Sequence, residues 1–357
     1  MDDQAQPAAR GPSSAVKLGG QWFVACPSSR LRDRPLGISL QGVPLVLFRG
    51  EEGRPGALED RCPHRNAPLS AGRLRAGALE CAYHGWRYDA SGQCVAVPGL
   101  AGPPRAQGLS VSAYACREQD GYVWVYSTPG ATPRNSPFRF PCLAEPGYTT
   151  IHREFEVRST LQAALENTLD VPHTAFLHRG LFRTNRMERE VEVVVRRFGD
   201  RCEAEFLGEE RPRGLAGRVL APGGGVVTHV DRFVLPSIAQ VEYRLGEASH
   251  LLVTSAMTPR EETVTRLAVA VTFRLPLPGW LVRLVLTPIA LRVFRQDARI
   301  LALQADNLRR FGGERFASTE IDVLGPQIAR LLRQAERGDR VAAGEAPLHE
   351  HRVRMRL

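Results

Sequence analysis

The sequence predicts an α+β protein of two domains, an all-β domain followed by an antiparallel sheet packed with helices. Three observations carry this expectation. Short runs of branched and aromatic residues, separated by Gly, Pro and Asp turns, fill residues 20 to 127. A proline-rich stretch follows, from Thr128 to Pro146. Beyond it, strand-like runs come first and a long helical pattern later, which favours a segregated sheet and helices over a βαβ repeat.

The chain has 357 residues, enough for two cores. Its composition, 43% hydrophobic and 24% charged, excludes a disordered class. Residues 1–17 are polar and small and read as a flexible tail. They lack the basic-then-apolar pattern of a secretory signal, so a cytoplasmic location is expected. The first domain, 18–130, holds strands at Trp22–Ala25, Val43–Phe48 and Tyr122–Tyr126. The second, 131–340, opens with a strand over Thr149–Val157 and a helix over Thr160–His178, capped by Ser159 or Thr160. Strands follow at Val191–Phe198, Val226–Val234, Ile238–Tyr243, His250–Met257 and Thr265–Phe273, then helices over Leu281–Phe311 and Asp322–Glu336. The polar, basic residues 341–357 read as a second flexible tail. The apolar stretch Leu275–Phe294 is broken by Pro276, Pro278, Arg283, Pro288 and Arg292, whereas a spanning helix needs about 20 unbroken apolar residues. A buried or interface helix is expected there, with contact at a membrane surface as the alternative.

The net charge is +9, and Lys17 is the only lysine among 47 basic residues. Such a skew reads as an arginine bias rather than a tuned phosphate-binding face. No basic run is interleaved with aromatics, so no nucleic-acid partner is expected. Of the seven cysteines, Cys26, Cys94, Cys116, Cys142 and Cys202 have no metal-type spacing and read as small buried apolar residues.

Cys62 and Cys81 differ. Cys62-Pro-His64 and Cys81-Ala-Tyr-His84 form a C-x-H … C-x-x-H pattern bordered by turn residues. Two thiolates suit one iron and two neutral imidazoles the other iron of a [2Fe–2S] cluster, and the histidines raise its potential above that of a four-cysteine cluster. The alternative is a Cys₂His₂ zinc site, but zinc fingers pair Cys with Cys and His with His. Here each half carries one of each.

A second constellation lies at Glu166-Asn167-Thr-Leu-Asp170-Val-Pro-His173-Thr-Ala-Phe-Leu-His178. Asp170 and His173, three apart, are expected on one side of a helix. His173 and His178, five apart, fall roughly 140° apart on a regular helix. They can share a metal only if the helix is broken, and Pro172 and Gly180 supply the means. Two histidines and a carboxylate on one face of iron leave open positions for oxygen and substrate.

Arg61 through Gly72, with Cys81-Ala-Tyr-His-Gly-Trp-Arg-Tyr-Asp, resembles the Rieske domain of the Rieske non-haem iron oxygenases, and 166–178 resembles their E-N-x-x-D-x-x-H-x₄-H motif. The resemblance spans about residues 18 to 335 and is nearest in texture to vanillate O-demethylase and pheophorbide a oxygenase-like members. It implies a Rieske domain followed by a helix-grip, START-like catalytic domain. It implies that Cys62 and Cys81 bind the buried cluster iron and His64 and His84 the outer one. His173, His178 and a carboxylate on a late helix would bind a mononuclear Fe(II). The segment Phe294-Arg-Gln-Asp297 through Gln304 resembles that helix, making Asp297 the expected third ligand and Asp306 its rival. Asp170 would hydrogen-bond an iron-bound histidine and link it to the Rieske histidine of a neighbouring subunit, and Asn167 would lie near the iron.

The resemblance also implies a homotrimer fed by a separate NAD(P)H-dependent reductase, directly or through a ferredoxin, since no dinucleotide or flavin motif occurs here. A basic face would suit an acidic donor of this kind. O₂ and a hydrophobic aromatic or natural-product substrate would react by hydroxylation, demethylation or oxidative cyclisation. Arene cis-dihydroxylation is the alternative, and an electron carrier without catalytic iron a distant one. The pocket is expected from Leu161–Leu165, the strands between Val226 and Met257, and the helix before Asp297. His229, Asn185 and His250 are polar anchors or, more simply, structural residues.

Overall fold

The computed structural model describes residues 17–102, 104, 107–178, 190–209, 227–246, 249–339 and 344–357. Two compact units divide these residues. One is Lys17–Leu143 with Ala256–Glu261, and the other Ala144–Ser255 with Glu262–Leu357.

The first unit is all β. Its strands are β1 (Trp22–Pro27), β2 (Leu36–Leu40), β3 (Val43–Arg49), β4 (Pro55–Glu59), β5 (Arg73–Arg75), β6 (Ala78–Glu80), β7 (Arg87–Tyr88), β8 (Cys94–Ala96), β9 (Ala113–Tyr114), β10 (Cys116–Gln119) and β11 (Tyr122–Tyr126). They form three small sheets, ordered β1-β11-β10, β2-β3-β4-β9 and β5-β6-β7-β8. Val46, Phe48, Leu58, Leu69, Leu79 and Tyr88 pack with Cys62 and Cys81 in one core.

The division falls at Leu143 rather than at residue 130, where the sequence places it. The proline-rich stretch is pinned to the first unit. Gln119 Nε2 donates to the carbonyls of Pro137 and Phe138, at 3.2 and 3.0 Å. Asp120 accepts from the Phe140 amide at 2.9 Å, and the Phe140 ring stacks on Tyr122. The unit is completed by a segment distant in sequence. Gln41 and Gly42 donate their amides to the carbonyls of Pro259 and Arg260, and Thr258 Oγ1 donates to the Val24 carbonyl at 2.7 Å.

The second unit is α+β. Its strands are β12 (Thr149–Val157), β13 (Glu190–Arg197), β14 (Arg201–Leu207), β15 (Val227–Val234), β16 (Ile238–Leu245), β17 (Ser249–Glu261, whose end from Ala256 onward belongs to the first unit), β18 (Val264–Arg274) and β19 (His349–Arg356). They form one sheet ordered β12-β18-β17-β16-β15-β14-β13-β19. Its helices are α1 (Leu161–Leu169), α2 (His173–Leu177), α3 (Gly279–Phe311) and α4 (Gly325–Glu336). α1 packs on β15, β16 and β18 and touches α3 and α4. No helix among the described residues is long and apolar enough to cross a membrane.

Two strands escape the sequence reading. β14 alternates cleanly, with Cys202, Ala204 and Phe206 buried between Arg201, Glu203 and Glu205, but its charge masks the alternation. β19 corrects the expectation of a flexible tail over 341–357. It pairs antiparallel with β13 from Glu190↔Arg356 to Arg197↔His349. Its charge, which suggests a tail, is matched across the pair. Arg352 meets Glu192 at 2.7 Å, and Glu350 meets Arg196 at 2.8 Å. Charged side chains also suit a sheet edge, where they oppose pairing with another chain. Of the other expected tail, residues 1–16 lie outside the described residues, as do Gly180 and Asn185.

Candidate metal centres

The first centre is built by two loops with the same internal hydrogen bonds. The Cys62 amide donates to the Ala67 carbonyl and the Asn66 amide to the Cys62 carbonyl. In the second loop, Cys81 donates to Trp86 and Gly85 to Cys81 in the same pattern. Each turn needs a left-handed residue four places after its cysteine. Asn66 supplies it at φ 60° and Gly85 at φ 71°. The loops bury both thiols and leave His64 half-buried and His84 exposed. The two imidazole rings lie 4.4 Å apart, with Trp86 stacked flat on His64.

The donor set fits a cluster better than a single ion. Four ligands on one zinc, at 2.0–2.3 Å, lie within about 4 Å of one another. Among the described residues, the only group of three or more such atoms mutually within 4.8 Å lies elsewhere. The thiols and imidazoles therefore do not converge on one point. His64 Nδ1 is buried without a hydrogen-bond partner, as a ligating nitrogen is before its metal is counted. Burial raises the Cys81 thiol, and the backbone N–H groups of Tyr83 and His84 oppose this by favouring its thiolate.

Tyr88 Oη lies 3.3 Å from Cys62 Sγ, and burial keeps the phenol protonated. Against a thiolate, the hydroxyl is the donor. Such a bond favours the more negative, reduced cluster. Tyr88→Phe is expected to lower the cluster potential by about 40 mV, the equivalent of roughly 1 kcal/mol for one electron. A redox titration followed by EPR checks this, and an unmoved midpoint would show that the bond does not act on the sulfur.

At the second centre the helical segment over 160–178 is broken at Pro172, one of the two places where the sequence allows a break. Thr160 Oγ1 accepts from the Ala163 amide at 3.2 Å and starts α1, which stops at Leu169. Asp170 is extended (φ −90°, ψ 112°), and α2 begins after Pro172. Asp170 and His173 thus meet across a helix break, not along one helix side. Asp170 Oδ2 accepts from the His173 amide and faces its Nδ1, both at 3.2 Å. The break lets both Nε2 atoms face one point, 3.3 Å from each other.

Asp297, from the middle of α3, completes the group. Its Oδ1 lies 3.1 Å from His178 Nε2 and 3.6 Å from His173 Nε2. That oxygen is buried and out of line for a hydrogen bond. Three adjacent ligands on an octahedral ion, bonded at about 2.1 Å, stand about 3 Å apart. The three side chains therefore fit one ion bound on one face. Burial disfavours a charged His173 ring, but Asp170 and Asp297 outweigh it and raise the group to about 9. The centre attracts positive charge. Asp306 is not part of it, because Arg158 and Arg309 occupy its carboxylate.

Sequence reasoning misses Gln296, whose Oε1 lies 2.9 Å from His178 Nδ1. An amide in a helix carries no sequence signature. Beside His173 opens a cavity of about 1170 Å³. Glu166, Asn167, Asp170, Gln304 and Asn307 line it, with Phe176, Leu303 and Phe311. It is not the pocket expected for the substrate: of the residues expected there only Ala163 lines it, and neither His178 nor Asp297 does. His229 and His250 prove internally satisfied. His229 meets Glu209 and Asp231 at 2.8 and 3.0 Å, and His250 meets Tyr148 and Glu242 at 2.7 and 3.0 Å.

Residues 21–114 match the Rieske [2Fe-2S] domain, and 157–338, more than half the chain, match the vanillate O-demethylase oxygenase C-terminal domain. The chain belongs to the Rieske non-haem iron oxygenases. Its cofactors are accordingly a [2Fe–2S] cluster and a non-haem iron. Among the relatives of this Rieske oxygenase is the oxygenase component of dicamba O-demethylase from Stenotrophomonas maltophilia, 36% identical over 49% of this chain and 52% of the relative. The vanillate O-demethylase oxygenase subunit of Pseudomonas sp. (strain HR199 / DSM 7063) is 33% identical over 50% of each chain. Protein TIC 55 of Arabidopsis thaliana is 30% identical over 78% of this chain and 51% of its own length. The chain thus spans about half the length of the curated relatives it matches. Dicamba monooxygenase bound to dicamba superposes with a TM-score of 0.78 at 25% identity, covering 92% of this Rieske oxygenase and 99% of that chain. Pseudomonas putida CBB5 NdmA with caffeine shares the fold, with a TM-score of 0.72 at 22% identity, over 91% and 96%.

Proposed function

We propose that this chain is the oxygenase component of a monooxygenase that removes a methyl group from, or hydroxylates, a hydrophobic aromatic or natural-product substrate. The observation that carries the reading is the convergence of His173, His178 and Asp297 on one point, with Asp170 on the far nitrogen of His173. Cys62, His64, Cys81 and His84 hold the cluster, and His173, His178 and Asp297 hold the iron. The cluster supplies single electrons, and the iron supplies the site of O₂ activation. A separate NAD(P)H-dependent reductase, with or without a ferredoxin, is the source of the electrons.

The residues of this chain do the rest. Asp170 fixes the His173 ring with Nε2 toward the ion and makes it a stronger ligand. In a homotrimer the same carboxylate, 36% exposed, would link His173 to a Rieske histidine of a neighbouring copy. Charge favours that pairing. Glu166 and Asp322 stand near Asp170 on the cavity wall, whereas Arg61 and Arg65 flank His64. Asn167 lines the cavity beside His173 and belongs to its polar wall.

The reaction balances with one O₂, two electrons and two protons. One oxygen atom enters a C–H bond and the other leaves as water. A hydroxylated O-methyl or N-methyl group then releases formaldehyde. The test supplies the protein, both metal sites filled, with a Rieske-competent reductase, NADH and a panel of methoxy- and N-methyl-aromatics. Substrate-stimulated O₂ uptake matched by formaldehyde is the expected result, and a panel with no stimulation would overturn the reading. Asp170→Asn in the same assay is expected to slow turnover by roughly 10- to 100-fold while the chain keeps its iron. Native rates would remove Asp170 from the electron path.

A further inference from the structure

The two histidines of the second centre are held by chemically different partners. His173 Nδ1 faces the carboxylate of Asp170, from the break before α2. His178 Nδ1 faces the amide oxygen of Gln296, from α3, at 2.9 Å. Gln296 is the immediate neighbour of Asp297, and both are partly buried. α3 therefore contributes adjacent side chains to one task, a carboxylate beside the Nε2 of His178 and an amide at its Nδ1.

A neutral imidazole carries one N–H, on either nitrogen. An amide oxygen can only accept. With that oxygen on Nδ1, the proton must sit on Nδ1, which leaves the Nε2 lone pair free for a metal. His178 is the residue just after α2, at φ −106° and ψ 39°, outside the helical region.

We propose that Gln296 is the positioning residue of the iron ligand His178, selecting by its amide oxygen the tautomer that can bind metal. Gln296 does so without charge. It adds no negative charge to the carboxylates already at the centre, Asp297 on the ligand side and Asp170 on the other ring. This rests on the reading that His173, His178 and Asp297 hold iron.

The test uses the full chain with its cluster intact and the mononuclear site emptied by mild chelation. Fe(II) is titrated anaerobically by calorimetry into the native protein, Gln296→Leu and Gln296→Glu. Cluster absorbance and the melting temperature of the chelated protein serve as controls. Leucine removes the acceptor, and Fe(II) binding is expected to weaken by roughly 10- to 100-fold. Glutamate restores an acceptor of equal reach, and binding is expected to return to the native value or tighter. The controls stay level across all three. Leucine binding Fe(II) as tightly as native would overturn the proposal. An equal loss in the leucine and glutamate variants would also overturn it, leaving Gln296 a packing role alone. A native protein that takes up no Fe(II) would instead sink the assignment of the three ligands.

Discussion

Asp297→Ala is expected to empty the mononuclear site and leave the cluster untouched. Iron content should fall from about three to about two per chain, as expected for a [2Fe–2S] cluster without its partner ion. Substrate-stimulated O₂ uptake should drop by more than ~100-fold, the upper end of the cost of losing a residue that merely supports a ligand. The reason is geometric. Two imidazole Nε2 atoms 3.3 Å apart remain, but the third corner of the face is gone. Asp306→Ala is the matched control. Its carboxylate sits between Arg158 and Arg309, so iron content and turnover should not move. Iron analysis and oxygen electrode traces on both variants decide it. Retained iron in Asp297→Ala would show that the ligand set is wrong.

Cys62→Ala is expected to do more than bleach the protein. It should remove the red-brown absorbance and the EPR signal of the reduced cluster, and with them all reductase-dependent turnover. It should also destabilise the first unit, because Cys62 is a member of its core. The substitution leaves the buried Tyr88 hydroxyl without its sulfur partner. An orphaned buried polar group alone costs about 1–3 kcal/mol. His84→Ala provides the contrast. His84 is exposed, so its loss should remove the cluster while costing the core little. Thermal unfolding of both variants separates the effects, and equal melting temperatures would contradict the packing argument.

How much of this is legible in sequence depends on how local each feature is. The pattern of the first centre is local, because each half lies within a single turn and its spacing is set by that turn. Asp170 is legible as the partner of His173, but through the wrong cause. Three residues apart suggests a shared helix side, whereas the contact arises where Pro172 resets the helix. The same break resolves the five-residue spacing of His173 and His178, which a regular helix forbids. Asp297 is invisible to spacing, since it comes from the other side of the sheet in sequence order, and only resemblance reaches it. Gln296 is beyond both. β19 was hidden because a strand rich in arginine looks like a solvated tail until its partners Glu190, Glu192 and Arg196 on β13 are known.

The segment Ala256–Glu261 has a consequence for modular inheritance. It lies far along the chain, yet it completes the first unit, receiving the amides of Gln41 and Gly42 and giving the Thr258 hydroxyl to Val24. No single cut in the sequence yields that unit whole. A cluster domain excised at Leu143 would strip the partners from the Gln41 and Gly42 amides, the Ser39 hydroxyl and the Val24 carbonyl. Exchange of this domain between relatives therefore requires three crossovers rather than one, after Leu143 and on either side of Ala256–Glu261, which ties the electron-carrying half of the chain to the history of its own iron-binding half.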